Sequence, residues 1–212
     1  MPYLLLLIGC IGISIASFGL YFSTIQHFDL TAVVWMSEHR IALLDLITIG
    51  LSTVGGLPAT LFICALWCVY LVRQKSYYTI LFICGSVASG SIFGWILKYL
   101  VDRPRPEAAL QMVNTYGASF PSAHSIYAAI ISALILFILH KHSAAKVIGI
   151  FACLWFLSMG ISRIYLGAHY PTDVLAGWSI GFICIAIMKF IISYIKRHKN
   201  KLFLDKNLNE VE

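Results

Sequence analysis

Apolar stretches of roughly 18 residues or more recur along the 212-residue chain, separated by short polar clusters. Their lengths predict six membrane spans, roughly 3–22, 48–72, 77–100, 122–140, 146–164 and 172–194. The opening "MPYLLLLIGCIGISIASFGLYF" lacks a basic leader and a small-residue cleavage site, so it reads as a retained span rather than a signal peptide. Between the first two runs, "DLTAVVWMSEHRIALLDLIT" reads as a short helix capped by Asp29. Leu30, Val33, Val34 and Trp35 would lay its apolar face in the outer headgroup layer, with a plain hairpin loop as the alternative. Gly50, Gly55, Gly56 and Pro58 lack the Lys-Ser/Thr ending of a phosphate-binding loop and read as packing and turn residues. The expected fold class is all-α, a polytopic membrane helical bundle of six transmembrane helices. It has one domain over 1–195 and a cytoplasmic tail over 196–212, basic and then acidic, disordered or membrane-associated.

Composition strengthens this picture. With 60% hydrophobic and 11% charged residues and a mean hydropathy of +0.86, the chain lies outside the range of soluble domains. All six cysteines fall inside apolar runs and read as small core or lipid-facing residues. Cys64 and Cys68 share a helix face but have no second pair at zinc spacing, so no metal site is expected there. The net charge of +6 does not point to nucleic acid, because the basic residues sit in short loops and in the tail rather than on a soluble module.

Those loops set the orientation, since lysine and arginine are retained in the cytoplasm. Arg73, Lys75, Lys141, Lys146, Lys189, Lys196, Arg197, Lys199, Lys201 and Lys206 are ten of the fifteen basic residues and fall on one side with both termini. Arg40, Lys98, Arg103, Arg105 and Arg163 are left outside, four of them beside polar clusters at span ends. Ionisable groups are costly in lipid, and their gathering on one side argues for function.

In the first cluster, "KYLVDRPRP", Lys98 continues a stripe of small residues, Ser86, Gly90 and Gly94, that favours close contact with a neighbouring helix. Lys98 is expected to face the bundle, the plain alternative being a lysine snorkelling to the surface. With Arg105 it combines a point charge and a planar donor fork, a pairing suited to phosphate oxygens. The second cluster, "SFPSAHS", opens a helix with Pro121 and Ser122. Capping alone explains those residues, yet a helix start also presents N–H groups to an anion, with His124 beside it. In the third, "SRIYLGAHYPTD", Asp173 either complements the helix dipole or holds one imidazole nitrogen of His169. The latter would fix the tautomer and free the other nitrogen as a nucleophile.

In order and spacing, Lys98, Arg105 and Pro106, then Pro121, Ser122, Ala123 and His124, then Ser162, Arg163, His169 and Asp173 resemble the three-part signature of the type-2 phosphatidic-acid phosphatase superfamily. The resemblance implies a metal-independent, cofactor-free integral-membrane lipid phosphatase with its active site at the outer ends of spans 3–6. By that resemblance His169 is the nucleophile, Asp173 orients it, and His124 protonates the leaving oxygen. Lys98, Arg105, Ser122, Ala123 and Arg163 bind phosphate. A phosphohistidine then forms and is hydrolysed. Ala123 stands where the family has glycine, which matters if the position needs a glycine-only backbone. The expected partner is a lipid phosphate or pyrophosphate, first of all undecaprenyl pyrophosphate, on the periplasmic or extracellular side of the plasma membrane. Phosphatidylglycerophosphate, phosphatidic acid and a lipid A phosphate are the other substrates considered. Lipid phosphotransfer, or non-catalytic headgroup binding or transport, are the alternative functions.

Overall fold

The longest helix, Pro171–Asn209, is the axis around which the chain is built. The computed structural model describes residues 1–209, with side-chain surroundings for 1–199. In chain order the described helices are α1 (Pro2–Gly19), α2 (Ser23–Glu38), α3 (Ala42–Val54), α4 (Leu57–Arg73), α5 (Tyr77–Val101), α6 (Ala123–Leu139), α7 (Ala145–Tyr165) and α8 (Pro171–Asn209). A single 3-10 turn lies at Ala108–Leu110, and no strand occurs among the described residues. α8 packs most extensively against α1 and α6, and also meets α5 and α7. The expected boundary at 195/196 falls inside α8, and the last three residues of the proposed tail, 210–212, lie outside the described residues.

The all-helical membrane architecture follows from the apolar runs, and helix length and apolarity alone account for four spans, or five with a bent pair, of the six expected. α1, α5, α7 and the Pro171–Lys199 part of α8 are each long and apolar enough to cross a membrane, and α6 is a shorter apolar helix of 17 residues. The run at 48–72 is not one straight helix: α3 and α4 form a fifth candidate bent by 59°. The cause is local. Gly55 ends α3, Gly56 caps α4 in extended conformation, and Pro58 sits in the first turn of α4, where its missing N–H costs nothing. A Cβ on Gly55 would stand 2.3 Å from the Met159 methyl, so this bend is pressed onto α7. Gly50, in contrast, has open space around it and no packing role.

α2 corrects the reading of Asp29 as a cap. The helix begins at Ser23, with Phe22 at its N-cap, which leaves Asp29 inside the helix and fully buried. The expected apolar face is also redistributed, since Val33 is buried while Leu30 and Trp35 are 45% and 53% exposed. Asp29 turns away from its own helix start because Arg103 and Thr172 offer its carboxylate buried donors.

Packing between α5, α6 and α8 depends on small residues. Ser86, Gly90 and Gly94 are buried on α5, and a Cβ on Gly90 or Gly94 would fall 2.4 Å or 2.7 Å from Ile130 or Ile126 of α6. The main core continues through Ile83, Val87, Ile126, Ile130, Leu134, Cys184 and Ile185. Outward-facing residues are large and apolar, including Phe62, Trp95 and Phe151 at 65%, 71% and 66% exposure, as a lipid-facing surface requires. The six cysteines are free thiols, divided between the core and this outer face.

Gly177 links the packing to the polar end of the bundle. A Cβ there would lie 2.5 Å from the Ser122 carbonyl and 2.8 Å from Ser125 Cβ, so α8 touches the start of α6 only because position 177 has no side chain. Gly177→Ala is expected to lower stability by about 1–3 kcal/mol through overpacking. Gly50→Ala, in open space, should leave it unchanged or slightly raised. Thermal midpoints of the two detergent-purified variants check this, and equal midpoints would contradict it.

Candidate active site

The three polar clusters converge at one end of the bundle, and each is shaped by local backbone chemistry. α5 stops at Asp102, which is left-handed (φ 44°) and donates its N–H to the Lys98 carbonyl, while Pro104 and Pro106 prevent the helix from resuming. The following loop folds back so that Ser119 N–H donates to the Arg103 carbonyl at 2.8 Å. Lys98 Nζ donates to Ala118 O at 2.5 Å, so Lys98 faces the bundle and the loop rather than the surface. Arg105 spreads its fork over the carbonyls of Tyr116, Gly117 and Ala168, each at 2.8 Å. Gly117 makes its turn with φ +64°.

Ser122 is the N-cap of α6, its hydroxyl accepting from Ser125 N–H at 3.4 Å. Ala123 is the first helical residue and has no positive φ, a conformation that Lys75 and Asp102 alone adopt among the described non-glycine residues. The position therefore needs an amide in a helical turn and not a glycine-only backbone. The first N–H groups of α6, at Ala123 and His124, have no acceptor within the helix and favour an anion. His124 points to the end of α3, its Nε2 lying 3.0 Å from Ser52 O. A carbonyl only accepts, so Nε2 carries the proton.

Arg163, in the last turn of α7, is 3% exposed. Its Nη1 donates to Ser52 Oγ at 2.6 Å, while its Nε is buried without a partner. Gly167 then turns the chain at φ +66°, where a Cβ would strike the Leu110 carbonyl at 2.1 Å, and His169 follows with its N–H on the Arg163 carbonyl. Pro171 begins α8 and puts Asp173 in the first turn. Asp173 is fully buried: Oδ2 accepts from Ser119 Oγ at 2.5 Å and Tyr170 N–H at 2.9 Å, and Oδ1 accepts from Arg103 Nη1 at 2.6 Å. Its backbone carbonyl accepts from Ser122 N–H at 3.0 Å, joining the second and third clusters directly.

These contacts determine the tautomer of His169. Nδ1 lies 3.6 Å from Asp173 Oδ2 and 3.5 Å from Ser119 Oγ, an ion-pair separation with a hydroxyl alongside rather than a tight hydrogen bond. Nε2 lies 3.3 Å from Arg105 Nη1, which only donates. The proton is thus on Nδ1, and Nε2 presents a lone pair towards Arg105. Burial drives the His169 pKa down to about 3 against the opposing pull of Asp173, and the charges of Arg105 and Arg163 add to the lowering. Burial also lowers the Arg105 pKa, with Asp173 opposing. At Arg103 burial works against the charge, but Asp173 and Asp29 outweigh it and raise the pKa.

The result is an uneven charge distribution. Among the described residues the ion pairs are Arg103 with Asp29 and Arg103 with Asp173, while neutral His169 lies 3.6 Å from Asp173. Lys98, Arg105 and Arg163 have no carboxylate within salt-bridge distance among the described residues and are held by neutral oxygens instead. No group of three or more His, Cys, Asp or Glu side chains suited to a metal occurs among the described residues. Cations, a buried unpartnered N–H and a helix start beside an unprotonated imidazole nitrogen form the complement of a tetrahedral oxyanion.

All eight residues expected from the sequence lie in this region: His169 lies between Asp173 and Arg105, Lys98 joins Arg105 at Ala118 O, His124 and Arg163 meet at Ser52, and Ser122 and Ala123 start α6. Ser52, Ser119, Arg103, Asp29 and Thr172 were not anticipated. Ser119 and Arg103 stand inside the quoted motifs, so adjacency was a usable signal for them. Ser52 lies in an apolar run with no motif around it.

Comparison with known proteins agrees with the geometry. The chain is 38% identical to phosphatidylglycerophosphatase B of Bacillus subtilis over 111 residues, 50% of this chain, spanning about half (54%) of that relative's length. It is 26% identical to undecaprenyl-diphosphatase BcrC of the same organism over 163 residues, 74% of this chain and 80% of that one. Its fold is similar to the crystal structure of a PAP2-type phosphatidylglycerolphosphate phosphatase from Bacillus subtilis, with a TM-score of 0.79 and 27% identity over 92% of this chain and 98% of that one. The profile of the PAP2 superfamily matches residues 79–197, which include all three clusters, and the chain belongs to that superfamily of type-2 phosphatidic-acid phosphatases.

Proposed function

We propose that this chain is a membrane lipid phosphatase that works through a phosphohistidine at His169. The observation that supports this best is the unprotonated Nε2 of His169, held towards Arg105, in a site where Lys98, Arg105 and Arg163 lack carboxylate partners among the described residues. Phosphate oxygens supply the missing negative charge. Lys98, Arg105, Arg163 including its free Nε, and the first N–H groups of α6 hold them, with Ser122 capping that helix. His169 Nε2 attacks phosphorus, the bond from phosphorus to the leaving oxygen breaks, and His124, acting as the imidazolium when the phosphate dianion is bound beside it, gives that oxygen a proton and becomes neutral. Asp173 stabilises the proton that remains on His169 Nδ1. Water then attacks the phosphohistidine, giving a proton to the now neutral His124 and restoring its imidazolium. The nitrogen–phosphorus bond breaks, and inorganic phosphate leaves. Fixed donors stabilise the equatorial oxygens throughout, so the mechanism calls for no metal or cofactor.

The proposed substrate is undecaprenyl pyrophosphate, cleaved to undecaprenyl phosphate and inorganic phosphate at the outer leaflet. Relatives named as undecaprenyl-diphosphatases in Bacillus subtilis and Sulfolobus acidocaldarius support it. Phosphatidylglycerophosphate is the second reading, favoured by the 0.79 TM-score to a phosphatase of that lipid over 98% of its chain. The proposal includes six spans, with the bent α3–α4 pair and α6 both crossing, a catalytic domain over 1–195, a tail over 196–212, and cytoplasmic termini.

Purified protein assayed in chelator against these two lipids, phosphatidic acid and a lipid A phosphate is expected to release inorganic phosphate from at least one, undecaprenyl pyrophosphate fastest. Folded protein that turns over none would overturn the reading. Transfer of labelled phosphate to an added lipid instead would make it a phosphotransferase. His124→Ala is expected to lower kcat by about 10²–10⁴-fold with lipid binding retained, and wild-type kcat in that variant would exclude it as the acid. A cysteine introduced in the 108–118 loop should react with an impermeant thiol reagent in intact cells, and labelling only after lysis would place the site on the cytoplasmic face.

A further inference from the structure

Asp29 is a fully buried carboxylate on a helix that otherwise docks weakly, for α2 buries Val33 and no other residue besides Asp29. Its oxygens are saturated by groups leading to the nucleophile. Arg103 Nη2 donates to Oδ2 at 2.7 Å, Thr172 N–H to Oδ1 at 3.0 Å, and the Thr172 hydroxyl to Oδ2 at 2.5 Å. The other arm of the same guanidinium, Nη1, donates to Asp173 Oδ1 at 2.6 Å and Thr172 Oγ1 at 2.8 Å. The Arg103 side chain is 10% exposed, and its cation lies 4.2 Å from the centre of the Tyr170 ring. Arg103 is therefore clamped on three sides, by two carboxylates and an aromatic face.

We infer that Asp29 is a positioning residue for the phosphoryl-transfer step, acting on His169 through Arg103 and Asp173. The inference rests on the phosphohistidine reading above. The charge count explains why a second carboxylate is needed. Arg103 alone would neutralise Asp173, which then could not stabilise the imidazolium that develops as His169 attacks. With Asp29 bound to the opposite arm, the trio of Asp29, Arg103 and Asp173 keeps one net negative charge, and Asp173 Oδ2 is the oxygen turned to His169 Nδ1. Geometry works in the same direction. Arg103 fixes Oδ1 while Ser119 Oγ and Tyr170 N–H fix Oδ2, so the carboxylate has no freedom to rotate away from the ring. Neither Asp29 nor Arg103 has a contact with His169, which makes this a role exerted through Asp173 and not direct chemistry.

Steady-state kinetics of the purified full-length protein on its hydrolysed lipid tests the inference. Asp29→Asn keeps the size of the side chain and removes the charge, and it is expected to lower kcat by about 10–100-fold with KM within about threefold. Arg103→Lys should recover part of the kcat lost in Arg103→Met, because an ammonium still offers a cation to both carboxylates. If Asp29→Asn does not fold, Thr172→Val removes the hydroxyl shared by Asp29 and Arg103 while keeping the backbone donor, and about a tenfold fall in kcat at constant KM is expected. Wild-type kcat in Asp29→Asn, or in Thr172→Val where that variant is used, overturns the inference alone. So does Arg103→Lys no better than Arg103→Met. Wild-type protein that hydrolyses none of the lipid phosphates overturns the phosphatase reading and this inference together.

Discussion

The buried carboxylate of Asp173 is the point on which the site's geometry depends. It is reached by Arg103 and Ser119 from the loop after α5, by the N–H of Tyr170, and by the imidazole of His169, while its own carbonyl receives the Ser122 N–H that starts α6. An ionised carboxylate removed from water is stable only when charge and hydrogen bonds compensate it. Each compensating group is therefore drawn to one place, and three segments distant in sequence are tied together. The absence of a side chain at Gly177 lets α8 approach α6 closely enough for this to happen.

Around that anion the remaining charge is left deliberately unbalanced. Lys98, Arg105 and Arg163 are held by carbonyl and hydroxyl oxygens, which orient a cation without cancelling it. Arg163 retains a buried N–H with no acceptor. Such an arrangement is costly in isolation and becomes favourable when an anion enters. Burial keeps His169 neutral, and the same positive surroundings add to the effect. In the proposed mechanism binding and nucleophilicity thus share a physical contribution: the cations proposed to attract a phosphate also disfavour protonation of the nitrogen proposed to attack it.

Much of this was legible from residue pattern. Apolar length located α1, α5, α6, α7 and the start of α8 to within a few residues, because a span must satisfy its own backbone and is long for that reason; α8 itself continues to Asn209, well past the apolar run that ends near 194. At 48–72 it missed the bend, where Gly55 and Gly56 break an apolar run that length alone reads as continuous. The eight residues proposed from motif spacing converge at one end of the bundle, since each cluster is bounded by a turn or cap with its own sequence signal. The partners that arrive from elsewhere were not legible. Ser52 is a serine within an apolar run whose significance comes only from the 59° bend beside it. Asp29 carries a local signal for a cap, and a contact with Arg103 across 74 positions overrides it. The substitution at Ala123 is resolved by its helical conformation, which spacing could not reveal.

The central claim is that His169 Nε2 becomes covalently bonded to phosphorus. The most direct measurement is rapid acid-free quenching of the protein during turnover of a lipid labelled at its terminal phosphate, followed by peptide mapping. The account predicts alkali-stable, acid-labile label on His169, absent from His169→Ala and accumulating when hydrolysis is slowed by His124→Ala with a substrate that has a good leaving group. Turnover with no label on the protein at any time, or label on a residue other than His169, would contradict it.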